Sequence, residues 1–158
     1  MSPPLWPITP DAMGAKLRFC SLGKTLQLGD VIVDAMDGVH PGGVTLLRIR
    51  GGGKSVIFAS DCTLTDELFP ALTEFSCGCD LLLCDGQYSD TEWVQRADFG
   101  HSRWTDAARL GAASGAKAVR IIHHDPDHTD EILDRAEDEI RAICPVSTFA
   151  YDGEEINL

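Results

Sequence analysis

Three apolar runs in this 158-residue chain each lead into side chains that can hold a metal or move a proton. Val56-Ile57-Phe58-Ala59-Ser60 runs into Asp61, Leu81-Leu82-Leu83-Cys84 into Asp85, and Ile121-Ile122 into His123-His124-Asp125. His40, in His40-Pro41-Gly42-Gly43, precedes a strand-like stretch; His101, in Gly100-His101-Ser102, precedes a helix-like one. Imidazole and carboxylate together suit zinc, manganese or iron. A carboxylate such as Asp61 can bridge two metals, and a metal pair lowers the pKa of a bound water enough to give hydroxide near neutral pH. A histidine backed by a carboxylate, as His101 would be by Asp85, suits general-acid work on a leaving group.

Such residues need rigid support, and the pattern supplies it. Val31-Ile32-Val33 follows the turn Gly29-Asp30. Val44 to Arg50 and Ser55 to Ser60 read as two strands of a hairpin closed by Gly51-Gly52-Gly53. Those glycines lack the rest of a phosphate-binding loop, and Lys54-Ser55 alone does not make one. Thr65 to Phe75 reads as a short helix limited by Pro70. Asp80 to Cys84 and Ala118 to Ile122 read as buried strands. Between them Ser102 to Ser114 predicts a helix. Ser102 or Thr105 would cap it, Ala107, Ala108 and Ala112 would allow close packing, and Gly115 would end it. Thr129 would cap a last helix whose apolar residues Ile132, Leu133, Ala136, Ile140 and Ile143 share a face. Thr148 to Tyr151 predicts a final strand. Pro3, Pro4, Pro7 and Pro10 make the start an extended lead-in. The whole reads as one α/β layered domain over 1–158.

Composition narrows the partners. Thirteen basic side chains against 25 acidic ones give a formal net charge of −12, which repels a nucleic-acid backbone and makes that partner an unfavourable one. A small phosphoester remains compatible, because a bound metal inverts the local field. No apolar run reaches the length of a membrane span, and the start has no basic segment followed by an apolar one. A cytoplasmic protein with reduced thiols is expected, and Cys77-Gly-Cys79 reads as packing. His128 reads as a surface residue, Asp127 and Asp130 as helix-start residues, and Trp93 and Trp104 as packing around His101.

Asp61, Cys84-Asp85-Gly86-Gln87-Tyr88, Gly100-His101-Ser102 and His123-His124-Asp125-Pro126-Asp127-His128 occur in an order that resembles metallo-β-lactamase-fold hydrolases, specifically the phosphodiesterase and ribonuclease Z branch. The resemblance runs from about Trp6 to the carboxyl terminus. It implies the metallo-β-lactamase-type αββα sandwich, present as approximately its second half. It also implies a divalent metal cofactor, zinc foremost with manganese or iron as alternatives, and hydrolysis of a phosphodiester or related ester by a metal-bound hydroxide. On the same resemblance His40, Asp61 and His123 are metal ligands, with Asp61 bridging. His101 is the proton donor and Asp85 its partner. His124 competes with His123.

The family's His-x-His-x-Asp-His cluster does not occur in this sequence. The resemblance therefore implies a chain that is incomplete as an enzyme and binds metal weakly alone. A single-metal site of His40, Asp61 and His123 is a further possibility. The alternative is a non-catalytic interaction or vestigial domain that keeps the fold. Half of such a sandwich leaves an apolar sheet face uncovered, so a homodimer or a complementing chain is expected.

Overall fold

The computed structural model describes residue 9, residues 12–17 and residues 23–158. The lead-in read from Pro3, Pro4, Pro7 and Pro10 lies outside the described residues, as does Cys20.

Seven strands form one sheet in chain order: β1 (Thr25–Leu28), β2 (Val31–Gly38), β3 (Val44–Gly51), β4 (Lys54–Ala59), β5 (Leu81–Asp85), β6 (Val119–Ile122) and β7 (Ser147–Phe149). The first four are antiparallel. Gly52 and Gly53 close the β3–β4 hairpin with φ of 57° and 76°, the left-handed pair that a two-residue turn needs to match strand twist. From β4 onward the pairing is parallel. The crossovers carry α1 (Leu68–Phe75), α2 (Asp90–Trp93), a 3₁₀ turn at Ala97–Phe99, α3 (Trp104–Ser114) and α4 (Asp130–Ile143). Right-handed crossovers taken always in the same direction stack the helices on one face, and α1 packs on α3 and α3 on α4.

The two faces of the sheet differ accordingly. Leu46, Ile57, Leu82, Val119 and Ile121 point to the helices and meet Leu72, Ala107, Ala108, Leu110 and Ile140 with no exposed surface. On the other face the register aligns Leu28 with Val31, Val33 with Ile49, Ile49 with Val56, and Phe58 with both Leu47 and Leu83. Leu28, Val31, Ile49 and Phe58 there are exposed. The uncovered apolar face expected of half a sandwich is present: one sheet and one helical layer.

Several boundaries differ from the sequence reading. α1 begins at Leu68 rather than Thr65, so Pro70 sits in the first turn, where a missing N–H is tolerated. α3 begins at Trp104, with Arg103 in the capping position and no side-chain cap. Ser102 is instead buried and bonded across the fold, and Thr105 donates to Asp90 Oδ1. Ala107 and Ala108 pack closely as expected, but Ala112 is exposed. Thr129 occupies the capping position of α4, but its hydroxyl makes no cap bond. Gly115 ends α3 with φ 64°, as its type demands. The described cysteines are unpaired, and burial pushes the Cys79 thiol up to about 11.

A one-sided core has a measurable signature. Leu82→Ala on the helix side should lower unfolding stability by about 2–5 kcal/mol, since its cavity is closed on every side. Phe58→Ala, at a side chain 42% exposed on the open face, should cost the monomeric chain less than about 1 kcal/mol. Urea denaturation at low protein concentration reads both values; equal losses would mean the open face is not open.

Candidate metal centre

β2, β4, β5 and β6 run in the same direction, so their carboxyl ends share one edge of the sheet. That edge is where an α/β sheet presents ligand-binding groups. His40 lies in the turn after β2, Asp61 two residues after β4, Asp85 on the last residue of β5, and His123 one residue after β6. His101 comes to the same edge because the segment after β5 folds back. Tyr88 and Ser102 pair there through a backbone bond of 3.2 Å, and Trp104 N–H donates to the Tyr88 carbonyl at 3.0 Å.

Four of the five sequence-predicted site residues, Asp61, Asp85, His101 and His123, each offer a donor atom within 4.8 Å of the others. The fifth, His40, joins through Asp61. Asp61 Oδ1 is the hub, with His40 Nε2 at 3.2 Å, His101 Nδ1 at 3.6 Å and His123 Nε2 at 3.8 Å. Donors bound tetrahedrally to an ion at roughly 2.1 Å stand about 3.4 Å apart, so Asp61 is spaced to share a divalent cation with His40 or with His123, while the four donors that lie within 4.8 Å of one another do not include His40. The His101 ring stacks on that of His123, with centroids 4.8 Å apart at 28°, and meets the His40 ring edge-on at 5.7 Å.

Asp85 is placed differently from the others. It is fully buried, and Oδ2 accepts from Cys62 N–H at 3.2 Å and contacts His101 Nδ1 at 3.0 Å. Oδ1 accepts from Gln87 N–H at 3.2 Å and Ser102 N–H at 3.1 Å. With two partners on each oxygen the carboxylate has no lone pair left for an ion. Its geometry is that of a group that orients an imidazole: Nδ1–H of His101 points at Asp85, which leaves Nε2 as the nitrogen available for proton transfer. His40 is similarly fixed, since Gly42 N–H donates to its Nδ1 at 3.1 Å and turns Nε2 toward Asp61. A Cβ on Gly100, whose φ is 99°, would lie 2.4 Å from that ring, so only glycine lets the His101 segment approach it.

Two features escape a reading of residue types. Among the described residues Asp61 and His123 are the non-glycine positions with positive φ, 59° and 66°. Left-handed backbone costs an ordinary residue about 1–2 kcal/mol, and here it occurs at the two ligand candidates that end parallel strands. The second feature is Ser102, whose hydroxyl donates to the Cys62 carbonyl at 2.6 Å and accepts from Leu64 N–H at 2.9 Å. It stitches the Asp61 loop to the His101 segment. Between the two adjacent histidines, His123 faces Asp61, while His124 turns to the Ala150 carbonyl, 3.2 Å from its Nε2, where burial lowers its pKa.

The chain is similar in sequence and fold to known proteins. The family described as the beta-lactamase superfamily domain matches residues 22–124. Ribonuclease Z of Trichodesmium erythraeum is 29% identical over 132 residues, which is 82% of this chain and 40% of that protein. The metallo-beta-lactamase fold protein YhfI of Bacillus subtilis superposes with a TM-score of 0.67 at 21% identity, over 82% of this chain and 51% of that one. The short form of human tRNase Z superposes with a TM-score of 0.64 at 16% identity, over 85% and 47%. The chain thus spans about half or less of each of these proteins.

His128 is not the surface residue its loop position suggests. Its side chain is only 4% exposed, packed on the Trp104 ring with centroids 5.6 Å apart, and its Nε2 lies 2.9 Å from Glu92 Oε1. Burial alone would raise the Glu92 carboxyl, but hydrogen bonds from Ser89 and His128 outweigh it and hold it at about 2. The folded value lies below the ordinary one of 4.5, so the stabilisation is complete above about pH 4.5 and is lost as the pH falls toward 2. Glu92→Gln should therefore be less stable than the parent at pH 6, with the gap narrowing to less than half by pH 3 in urea titrations at both values. A gap that stays constant would show that the pair contributes nothing through its charge.

Proposed function

Because the chain belongs to the beta-lactamase superfamily, we propose that it carries the acid–base and part of the metal-binding machinery of a hydrolase acting on a small phosphodiester or related ester. The observation that supports this most is the convergence of Asp61, His101 and His123 beside a fully buried Asp85. A vestigial domain has no reason to keep a buried carboxylate aimed at an imidazole or two ligand candidates in left-handed backbone. His40, Asp61 and His123 would hold a divalent metal, zinc by preference and manganese or iron by the same donor chemistry. When bound, the metal would supply Lewis-acid activation of water and of the scissile phosphorus–oxygen bond. Carrying protons on both nitrogens, His101 would give the one on Nε2 to the departing oxygen and keep Nδ1–H on Asp85, whose carboxylate orients the ring. Ribonucleases act on phosphodiester bonds. For this chain, with a net charge of −12, a small ester is the better match than a polyanion.

With manganese or zinc supplied to the chain joined by the partner that completes its ligand set, hydrolysis of bis-p-nitrophenyl phosphate separates the roles. Asp61→Ala and His123→Ala should weaken metal binding by at least about ten-fold and remove turnover with it. His101→Ala should keep the metal and slow turnover by about 10²-fold. Turnover that survives Asp61→Ala overturns the reading.

On this reading a second copy of the chain or a complementing chain would cover the open sheet face, and a complementing chain would bring the remaining metal ligands, in a cytoplasmic protein. No helix among the described residues is long and apolar enough to cross a membrane. Leu28, Val31, Ile49 and Phe58 leave an apolar stripe exposed along this face, and contiguous exposed apolar surface often marks an interaction site. Light scattering at micromolar concentration should report a species heavier than the monomer. A monodisperse monomer that binds no hydrophobic dye argues against any such cover.

A further inference from the structure

The ligand candidate His123 opens a turn that does little to hold itself. Within it, His128 N–H donates to the Asp125 carbonyl at 2.9 Å and Asp127 N–H to Asp125 Oδ1 at 3.0 Å. Neither bond reaches His123, whose φ of 66° is unfavourable for a side-chain-bearing residue and persists only where its surroundings impose it.

Those surroundings lie across the site. Asp125 Oδ2 accepts from Arg96 Nη1 at 2.7 Å with the carboxylate largely buried, and His128 Nε2 meets Glu92 at the other end of the turn. Both partners belong to the segment that ends in His101. Glu92 is in α2, itself closed by a capping box with Ser89. Arg96 lies over the Tyr88 ring, 5.0 Å from its centroid, and Tyr88 is paired through its backbone to Ser102. Trp93 Nε1–H donates to the His101 carbonyl at 3.3 Å. One contact would leave the turn free to pivot; two, at Asp125 and at His128, fix its orientation.

We propose that Arg96 and Glu92 are positioning residues: through Asp125 and His128 they clamp the turn that carries His123 and so set its ring against His101. This inference rests on reading His101 and His123 as parts of one site, and it needs no metal to be tested. Their stacked rings give a proton–proton Overhauser effect observable in the chain as it stands. Arg96→Met and His128→Phe should each weaken that signal several-fold, and Arg96→Lys should restore most of it. Cobalt(II) titrations should show the dissociation constant rising about ten-fold in the same two variants, the range found when groups that orient a ligand are removed.

Arg120→Met is the control, since it breaks a pair of 2.6 Å between β6 and Glu154, beyond β7, and neither partner lies in the two clamped loops. It should lower thermal stability while leaving the ring contact and the cobalt affinity unchanged. Should Arg96→Met fail to fold, Asp125→Asn tests the same link more gently. A native ring contact in both clamp variants, or an equal loss in Arg120→Met, overturns the proposal. A parent chain that binds no cobalt at all, yet loses the ring contact in the clamp variants, refutes the reading of His123 as a metal ligand and leaves the clamp standing.

Discussion

The Asp85 carboxylate is the point on which the site depends. A carboxylate with no exposed surface is costly to bury unless every lone pair is answered, and here four partners answer it from three stretches of chain. Cys62 brings the loop that presents Asp61, Gln87 the turn leaving β5, and Ser102 and His101 the segment entering α3. Each partner gains its place only if the others are in theirs. Satisfying one buried charge therefore settles the relative positions of the bridging carboxylate candidate and the proton donor before any ion is considered.

The sheet makes this economical. Strands of like direction deliver their carboxyl ends to one edge, so polar residues placed directly after apolar runs meet without a dedicated scaffold. The helix-facing side of the same strands carries the core, and the opposite side carries the exposed stripe. The candidate site, the core and the exposed apolar stripe thus occupy an edge and two faces of one element. A covering partner can settle on the stripe without displacing the residues that hold the sheet together.

This division explains what could be read from the residues alone. Asp61, Asp85 and His123 were legible because each ends an apolar run, and His101 because it precedes an amphipathic helix. The β3–β4 hairpin was legible in its glycines. His128 was misread because nothing in its local spacing foretells that Trp104 and Glu92 will close on it from two other elements. Ser102 looks like a helix cap in any local window and becomes a cross-link only when the Cys62 loop arrives. α2 was missed although Ser89-Asp90-Thr91-Glu92 carries the capping-box spacing, a signal that could have placed it. β1 was missed too, with Thr25 to Leu28 alternating ahead of the Gly29-Asp30 turn.

The change from antiparallel to parallel pairing at β4 has a consequence for how the chain folds. The β1 to β4 meander forms through tight turns between neighbours and needs little loop closure. Each later strand must wait for a helical crossover to bring it home. His40 belongs to the early, local part; Asp85, His101 and His123 belong to the late, long-range part. The metal-capable edge is thus finished last, when the parallel strands dock. A partly folded chain displays His40 without the other imidazoles, and has little with which to capture a stray cation on the way.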